Sequence, residues 1–143
     1  MPWTMYLPFS TRVYIYGFTN AGLNQQITVV PESGSTLTFT GSGENNRATT
    51  PPNAIINTPS SGSNPRGFKL TVTIKSYKNG NWVESQITGA GASLGIVGAT
   101  YMVCSEDLVD NDWNDGVLSF IWYNPPPTAA EFAQHVQELA SAQ

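Results

Sequence analysis

Oxygen-bearing side chains crowd one short stretch of the chain, Ser105-Glu106-Asp107-Leu108-Val109-Asp110-Asn111-Asp112-Trp113-Asn114-Asp115-Gly116. Asp110, Asp112 and Asn114 are spaced two apart, so in an extended or tightly wound loop their oxygens converge on one side, and Asp115 follows at once. Such a set of hard donors suits Ca2+, which takes ~6 to 8 oxygen ligands. All four aspartates of the protein lie here, and with Glu106 the stretch holds five of its ten acidic residues. Like charges this close repel strongly once partly desolvated, so a cation is expected among them.

The other donor types are nearly absent. Cys104 is the only cysteine and His135 the only histidine, which excludes an internal disulfide and a thiolate cluster and leaves oxygen as the ligand. The spacing is not that of an EF-hand. Counting Asp110 as the first position, the sixth is Asp115 where glycine is required, and the twelfth is Ile121 where a bidentate glutamate is required. Glu106, Asp110, Asp112 and Asp115 carry four negative charges, which one Ca2+ half neutralises and two adjacent ions balance; two calcium ions are therefore expected. Mg2+, stricter in geometry and slower to dehydrate, fits less well. The plain alternative is calcium that only staples a loop.

Outside the stretch the chain is almost neutral, with five acids against six Lys and Arg, so the net charge of -4 is a local property. Only 11% of residues are charged, against a common ~25%, and no basic face suggests nucleic acid. The N-terminus lacks the basic start and apolar run of a signal peptide, and no apolar stretch of ~18 residues could span a membrane. At 143 residues the size prior gives one domain with a continuous core.

The elements that would position the acidic stretch read mostly as strands. Residues 11–19 alternate β-branched and aromatic side chains, stop at the turn-like Asn20-Ala21-Gly22-Leu23-Asn24 and resume at 26–30, which predicts a first hairpin. Residues 35–40 alternate again. Residues 41–67, rich in Gly, Ser, Asn and Pro, predict a long surface connection with a brief strand at Ile55-Ile56. Phe68, Leu70, Val72 and Ile74 share one face of a strand that ends at the Asn79-Gly80 hairpin turn and returns through residues 82–87. A buried strand over 95–103 leads into the acidic stretch, and one over 117–122 leaves it, so the stretch is a loop anchored between two core strands. After Pro125-Pro126-Pro127, Thr128 to Glu131 forms a capping box, and Phe132, Val136 and Leu139 follow helical spacing. The expectation is an all-β, antiparallel β-sandwich over residues 1–124, with a short C-terminal helix in a tail over 125–143.

With these elements in place, Ser-Glu-Asp-x-x-Asp-Asn-Asp-aromatic-Asn-Asp, running on to Trp122, resembles the bacterial calcium-mediated lectins that bind fucose and mannose. Phe18-Thr19-Asn20-Ala21-Gly22 is similar to that family's strand-to-turn segment, and Lys78-Asn79-Gly80 to its hairpin. The resemblance implies two adjacent Ca2+ ions held by Asn20, Glu106, Asp110, Asp112, Asn114 and Asp115, with sugar hydroxyls completing the calcium shells. It places the sugar against Asp107, Asp110, Asp112, Asn114 and Asp115 and against a specificity loop, here Ala21-Gly22-Leu23. That loop lacks the serines of strongly fucose-preferring members and is closer to mannose-preferring ones. The family's terminal carboxylate, a few residues after the Trp, enters the neighbouring subunit's calcium site. Here twenty-one residues follow Trp122, so Asn124, a water or another acid must fill that place, or the family's homodimer is lost.

The remaining residues take ordinary roles. Trp113 and Trp122 are expected to pack, Cys104 to be a buried inert thiol, His135 to be solvated, and Tyr14 and Tyr16 to line a groove or cover a sheet. One histidine on a late tail supports no Ser/His/Asp triad, and calcium would occupy carboxylates otherwise available for glycoside hydrolysis, so no enzyme is expected. The two hypotheses are a calcium-dependent lectin for a monosaccharide or glycan and a structural or adhesive β-domain using calcium for stability. Calcium sites of sensor or extracellular affinity stand mostly empty at resting cytosolic levels, which favours function outside the cell or at its surface.

Overall fold

The structure is a computed structural model that describes residues 2–48, 51, 54–107, 111–124 and 129–141. Among these, nine strands precede one helix: β1 (Trp3–Leu7), β2 (Arg12–Pro31), β3 (Leu37–Arg47), β4 (Ile55–Asn57), β5 (Phe68–Lys78), β6 (Asn81–Glu84), β7 (Gln86–Ser93), β8 (Gly98–Glu106), β9 (Gly116–Tyr123) and α1 (Ala129–Ser141). All strand pairings are antiparallel, as the expected all-β sandwich requires. Asp110, Thr128 and the side chains of Glu131, Phe132 and His135 lie outside the described residues.

β2 joins the two halves of the sandwich. Its first part, Val13 to Thr19, pairs with β9, which continues through β8 to β7; its last part, Gln25 to Pro31, pairs with β5, which continues to β1. Val13 and Ile15 from the first part and Ile27 and Val29 from the last face a shared core with Phe39, Leu70, Val72, Ile74, Val103, Leu118 and Phe120, none more than 1% exposed. Each such side chain contributes roughly 1.5–3 kcal/mol on burial, and this core holds the ends of β8 and β9 at the mouth of the acidic loop. β5 shows the alternation its sequence predicts, with Phe68, Leu70, Val72 and Ile74 buried and Lys69 exposed. Asn79 (φ 50°) and Gly80 (φ 81°) take the two left-handed conformations that a tight hairpin between β5 and β6 demands.

Several expectations are corrected. Residues 11–30 form no hairpin, because 11–19 and 26–30 lie along one strand with different partners. None of residues 20–24 adopts the positive φ of a primed turn; the segment accommodates register shifts against β3 as β2 crosses between halves. The connection predicted from 41 is also shorter, since β3 runs on to Arg47 and pairs Gly43 with Ala21, Asn46 with Thr19 and Arg47 with Phe18. Edge pairing is made by the backbone, so it survives a polar composition that hides it from pattern reading. Ile56 does sit in a brief strand, β4, and is buried. Residues 95–97 form a turn and β8 begins at Gly98, leaving Val97 54% exposed. The return after Asn79-Gly80 ends at Glu84, and a separate β7 then pairs with β8. β1 was not foreseen; its Met5 and Leu7 enter the core as it adds an edge to β5.

The helix forms as its periodicity predicts, but Val136 and Leu139 remain 48% and 55% exposed. Trp122 packs against the core, whereas Trp113 is only half-buried and Cys104 is half-buried where a buried thiol was expected. Partial burial still pushes the Cys104 thiol above its ordinary value. Tyr14 and Tyr16 line a shallow hollow with Ile121 and Tyr123 on the outer sheet face, and the Tyr14 and Tyr123 rings meet edge to face.

Candidate functional site

The loop between β8 and β9 is clamped at its neck. Ser105, fully buried at the end of β8, accepts a hydrogen bond at Oγ from Gly116 N–H (2.9 Å) and donates to Gly116 C=O (3.3 Å), while its carbonyl accepts from Asp115 N–H (3.2 Å). A Cβ at Gly116 would meet Ser105 Oγ at 3.0 Å and Ile74 Cγ2 at 3.1 Å, so a larger residue would have to push the clamp and the core apart by a few tenths of an ångström. Core strands and one hydroxyl thus bring the ends of an acidic loop together before any ion is considered.

Beyond the neck the carboxylates turn inward. Glu106 is 1% exposed, and its Oε2 accepts from Trp113 N–H at 3.1 Å. Asp107 N–H donates to Asp115 Oδ2 at 2.6 Å, and both residues are buried. Asp112 is exposed and accepts at Oδ1 from Asn114 N–H at 3.4 Å. Asn111 (φ 61°) and Trp113 (φ 58°) flank Asp112 in the left-handed region, which an aromatic residue adopts only when its surroundings impose it. The result is a cluster in which Glu106, Asp112 and Asp115 each offer an oxygen within 4.8 Å of the others.

Asn20 closes the site from β2. Its N–H donates to Asp115 C=O (3.0 Å), its Nδ2 to Asn114 C=O (3.2 Å), and its Oδ1 accepts from Asn45 N–H (2.8 Å). The β2 segment that misled the hairpin reading therefore carries Asn20 to the loop. Gln25, itself buried, donates to Leu23 C=O at 3.4 Å and supports the residues beyond. A cavity of about 260 Å³ opens here, lined by Asn20, Ala21, Gly22, Leu23, Glu44, Asp107 and Asp115. Across the site, Lys78 Nζ donates to the main-chain carbonyl of Asp107.

Two observations show that the arrangement fits a cation. Asn114 Oδ1 is buried and has no hydrogen-bond partner among the described residues, and a buried acceptor left this way costs about 1–3 kcal/mol unless something fills its lone pairs. Burial, reinforced by the charges of Asp107, Glu106 and Asp112, raises the Asp115 carboxyl to about 6 against the opposing hydrogen bond from Asp107 N–H. An acceptor-only set of carboxylates and an amide oxygen, with no nitrogen or sulfur donor, suits a hard divalent ion.

Of the predicted ligands, the structure gathers Asn20, Glu106, Asp112, Asn114 and Asp115 around one loop; Asp110 lies outside the described residues. Of the predicted sugar contacts, Ala21, Gly22, Leu23, Asp107 and Asp115 line the cavity together. Asn124, offered from sequence as a substitute ligand, is engaged within its own chain by the β7–β8 turn: its N–H donates to Val97 C=O and its Nδ2 to Gly95 and Ile96 C=O. Pattern reading missed Glu44, the donor at Asn45, the Ser105 clamp and the Lys78 contact. Glu44 and Asn45 lay in a stretch read as low in complexity, where the only hint was Gly43 ahead of two asparagines.

A family model described as fucose-binding lectin II (PA-IIL) matches residues 5–124. Among solved structures, the chain is similar to a Ralstonia solanacearum high-affinity mannose-binding lectin, with 27% identity and a TM-score of 0.65 over 87% of this chain and 96% of that one. It is also similar to the Chromobacterium violaceum lectin CV2L, solved in complex with alpha-methyl-fucoside, at 22% identity and a TM-score of 0.65 over 87% and 96% of the two chains. The C-terminal domain of the BC2L-C lectin from Burkholderia cenocepacia aligns at 20% identity and a TM-score of 0.64 over 89% and 100%. The last two likenesses speak for the fold alone. No curated protein matches the chain.

Proposed function

The chain belongs to the fucose-binding lectin II (PA-IIL) family and is a carbohydrate-binding lectin, and from that premise we propose that it binds a monosaccharide such as mannose or fucose through two adjacent calcium ions in the β8–β9 loop. Asn20, Glu106, Asp110, Asp112, Asn114 and Asp115 would hold the ions. Bound calcium would supply positive charge that neutralises the carboxylates and takes up sugar hydroxyls in place of water. Asp107 and Asp115 would accept charge-assisted hydrogen bonds from sugar hydroxyl groups, and Ala21, Gly22 and Leu23, which line the same cavity, would form the wall that the rest of the ring meets. Binding rather than bond cleavage is the role these residues support, because Glu106 and Asp115 are engaged by the loop backbone and would be taken up further by the ions. We take residues 1–124 as the lectin unit and 125–143 as an appended tail, with a homodimer as one assembly it could adopt.

The observation that carries this reading is the orphaned Asn114 Oδ1 beside the converging oxygens of Glu106, Asp112 and Asp115. Thermal unfolding with and without calcium, each across a monosaccharide panel, tests it. Calcium alone should raise the melting temperature, and mannose or fucose should raise it further only when calcium is present. Stabilisation by calcium with no response to any sugar would leave the ion as a structural staple and sink the sugar site.

A further inference from the structure

We propose that Glu44 is a specificity-determining residue of the sugar site, favouring pyranosides that carry an exocyclic hydroxymethyl group over those with a methyl in its place. The inference rests on the sugar site proposed above and adds the substituent that the site reads. Glu44 lies on β3 between Gly43, paired with Ala21, and Asn46, paired with Thr19. Gly43 (φ 99°) and Asn45 (φ 50°) place it between two left-handed residues. Thr19 Oγ1 donates to Gly43 C=O (3.1 Å), Asn45 N–H to Asn20 Oδ1 (2.8 Å) and Asn46 Nδ2 to Ser42 C=O (2.6 Å). The backbone on both sides of Glu44 is thus fixed to the segment of β2 that closes the acidic loop.

The other wall residues leave little choice of polar reader. Ala21, Gly22 and Leu23 offer no polar side-chain atom, and the Asn20 amide is committed to Asn45 and Asn114. Asp107 and Asp115 are buried where the loop meets the cavity. Glu44 is the exposed carboxylate, and it comes from β3 and not from the loop. In this proposal a pyranose anchored through ring hydroxyls at the loop turns its exocyclic substituent toward the β2–β3 wall, where Glu44 lines the cavity. D-Mannose carries a hydroxymethyl group at C5, and D-rhamnose, its 6-deoxy counterpart, a methyl in the same place. The hydroxymethyl donates to the Glu44 carboxylate in a charge-assisted bond, whereas a methyl displaces water from the carboxylate and returns nothing. A site that hydrogen-bonds a hydroxyl rejects the analogue lacking it more firmly than an apolar pocket rejects an added one.

The test is calorimetric titration of the full chain, of Glu44→Ala and of Glu44→Gln, each in calcium, with methyl α-D-mannoside and its deoxy counterpart methyl α-D-rhamnoside. These two ligands differ only in the group at issue. The wild type should favour the mannoside by about tenfold. Glu44→Ala should bring the ratio close to one, by weakening the mannoside and by relieving the rhamnoside of the cost of desolvating the carboxylate, and Glu44→Gln, which keeps an acceptor oxygen, should retain part of the preference. The calcium-induced rise in melting temperature should be equal in all three, showing that the loop is intact. If both sugars bind and Glu44→Ala leaves their ratio unchanged, the role of Glu44 is overturned while the sugar site stands. If neither binds the wild type in calcium, the sugar site itself fails and takes this inference with it.

Discussion

Two connections join β8 to its neighbours, and they solve the same problem by opposite means. The β7–β8 turn is short and uncharged: Leu94 N–H bonds to Gly98 C=O, Gly95 bends through a positive φ, and Asn124 caps three nearby carbonyls. Its polar groups are met by the chain itself. The β8–β9 loop is long and acidic, buries Glu106, Asp107 and Asp115, and leaves Asn114 Oδ1 without a partner among the described residues. The first is met by its own chain, whereas the second gathers carboxylates that could hold a metal ion. The comparison teaches that the sandwich supplies a closed neck at Ser105 and Gly116, so what lies beyond it is free to be unfavourable until filled.

The sharpest way to break this contrast is Asp112→Ala. In wild type, calcium at a hundred times its dissociation constant should add about 2.7 kcal/mol of stability. The variant should lose that stabilisation, read as a melting temperature indifferent to calcium. Compared in chelator, it should be at least as stable as wild type, because one of several mutually repelling carboxylates is gone. Undiminished calcium affinity in calorimetry would remove Asp112 from the site; a large loss of stability in chelator would mean that the loop is complete without an ion.

Much of this contrast could be read from the chain itself, for identifiable reasons. The acidic loop announces itself because ligand types and spacing are local, and β5 and the Asn79-Gly80 turn because alternation and turn chemistry are local too. What escaped depends on distant partners. Asn20 sits in a segment that looks like a turn, and only the pairing of Ala21 with Gly43 of β3, between those of Thr19 and Gln25, makes it strand. β3 beyond Thr40 and the short β1 are edges, held by backbone bonds that side-chain patterns do not encode. The family resemblance assigned Asn20 to the site despite the wrong hairpin, and the structure brings it against the acidic loop, whereas Glu44 had neither pattern nor resemblance to mark it.

A smaller effect separates the two connections by pH. Burial first, then the neighbouring acids, raises the Asp115 carboxyl from 3.8 to about 6 in the metal-free fold. The folded state therefore holds this proton when the unfolded chain has released it, so this group's contribution favours folding at low pH and is lost as pH rises from about 4 to about 6. Calcium reverses the demand, since ligation needs the carboxylate, and binding should release a proton and weaken below about 6. Calorimetry at pH 5 and 7 in two buffers of different ionisation enthalpy reads both effects. Equal affinity and no proton release at the two values would show that Asp115 is ionised before calcium arrives. Replacing it with Asn should abolish the proton release.

The smallest change belongs to the self-sufficient turn. Asn124→Ala removes the amide donor that bridges Gly95 and Ile96 C=O but leaves the Asn124 N–H bond to Val97. The lost side-chain bonds are partly exposed, and each neutral hydrogen bond is worth about 1 kcal/mol net, so a loss of about 1 kcal/mol in denaturant unfolding is expected. Calcium and mannose affinities should not move, because the turn shares no residue with the acidic loop and sits at the far end of β8. A drop in calcium affinity would carry more weight than the stability change itself. It would mean that Asn124, in a second copy of the chain, reaches the acidic site after all, and the turn and the loop would then be two halves of one assembly.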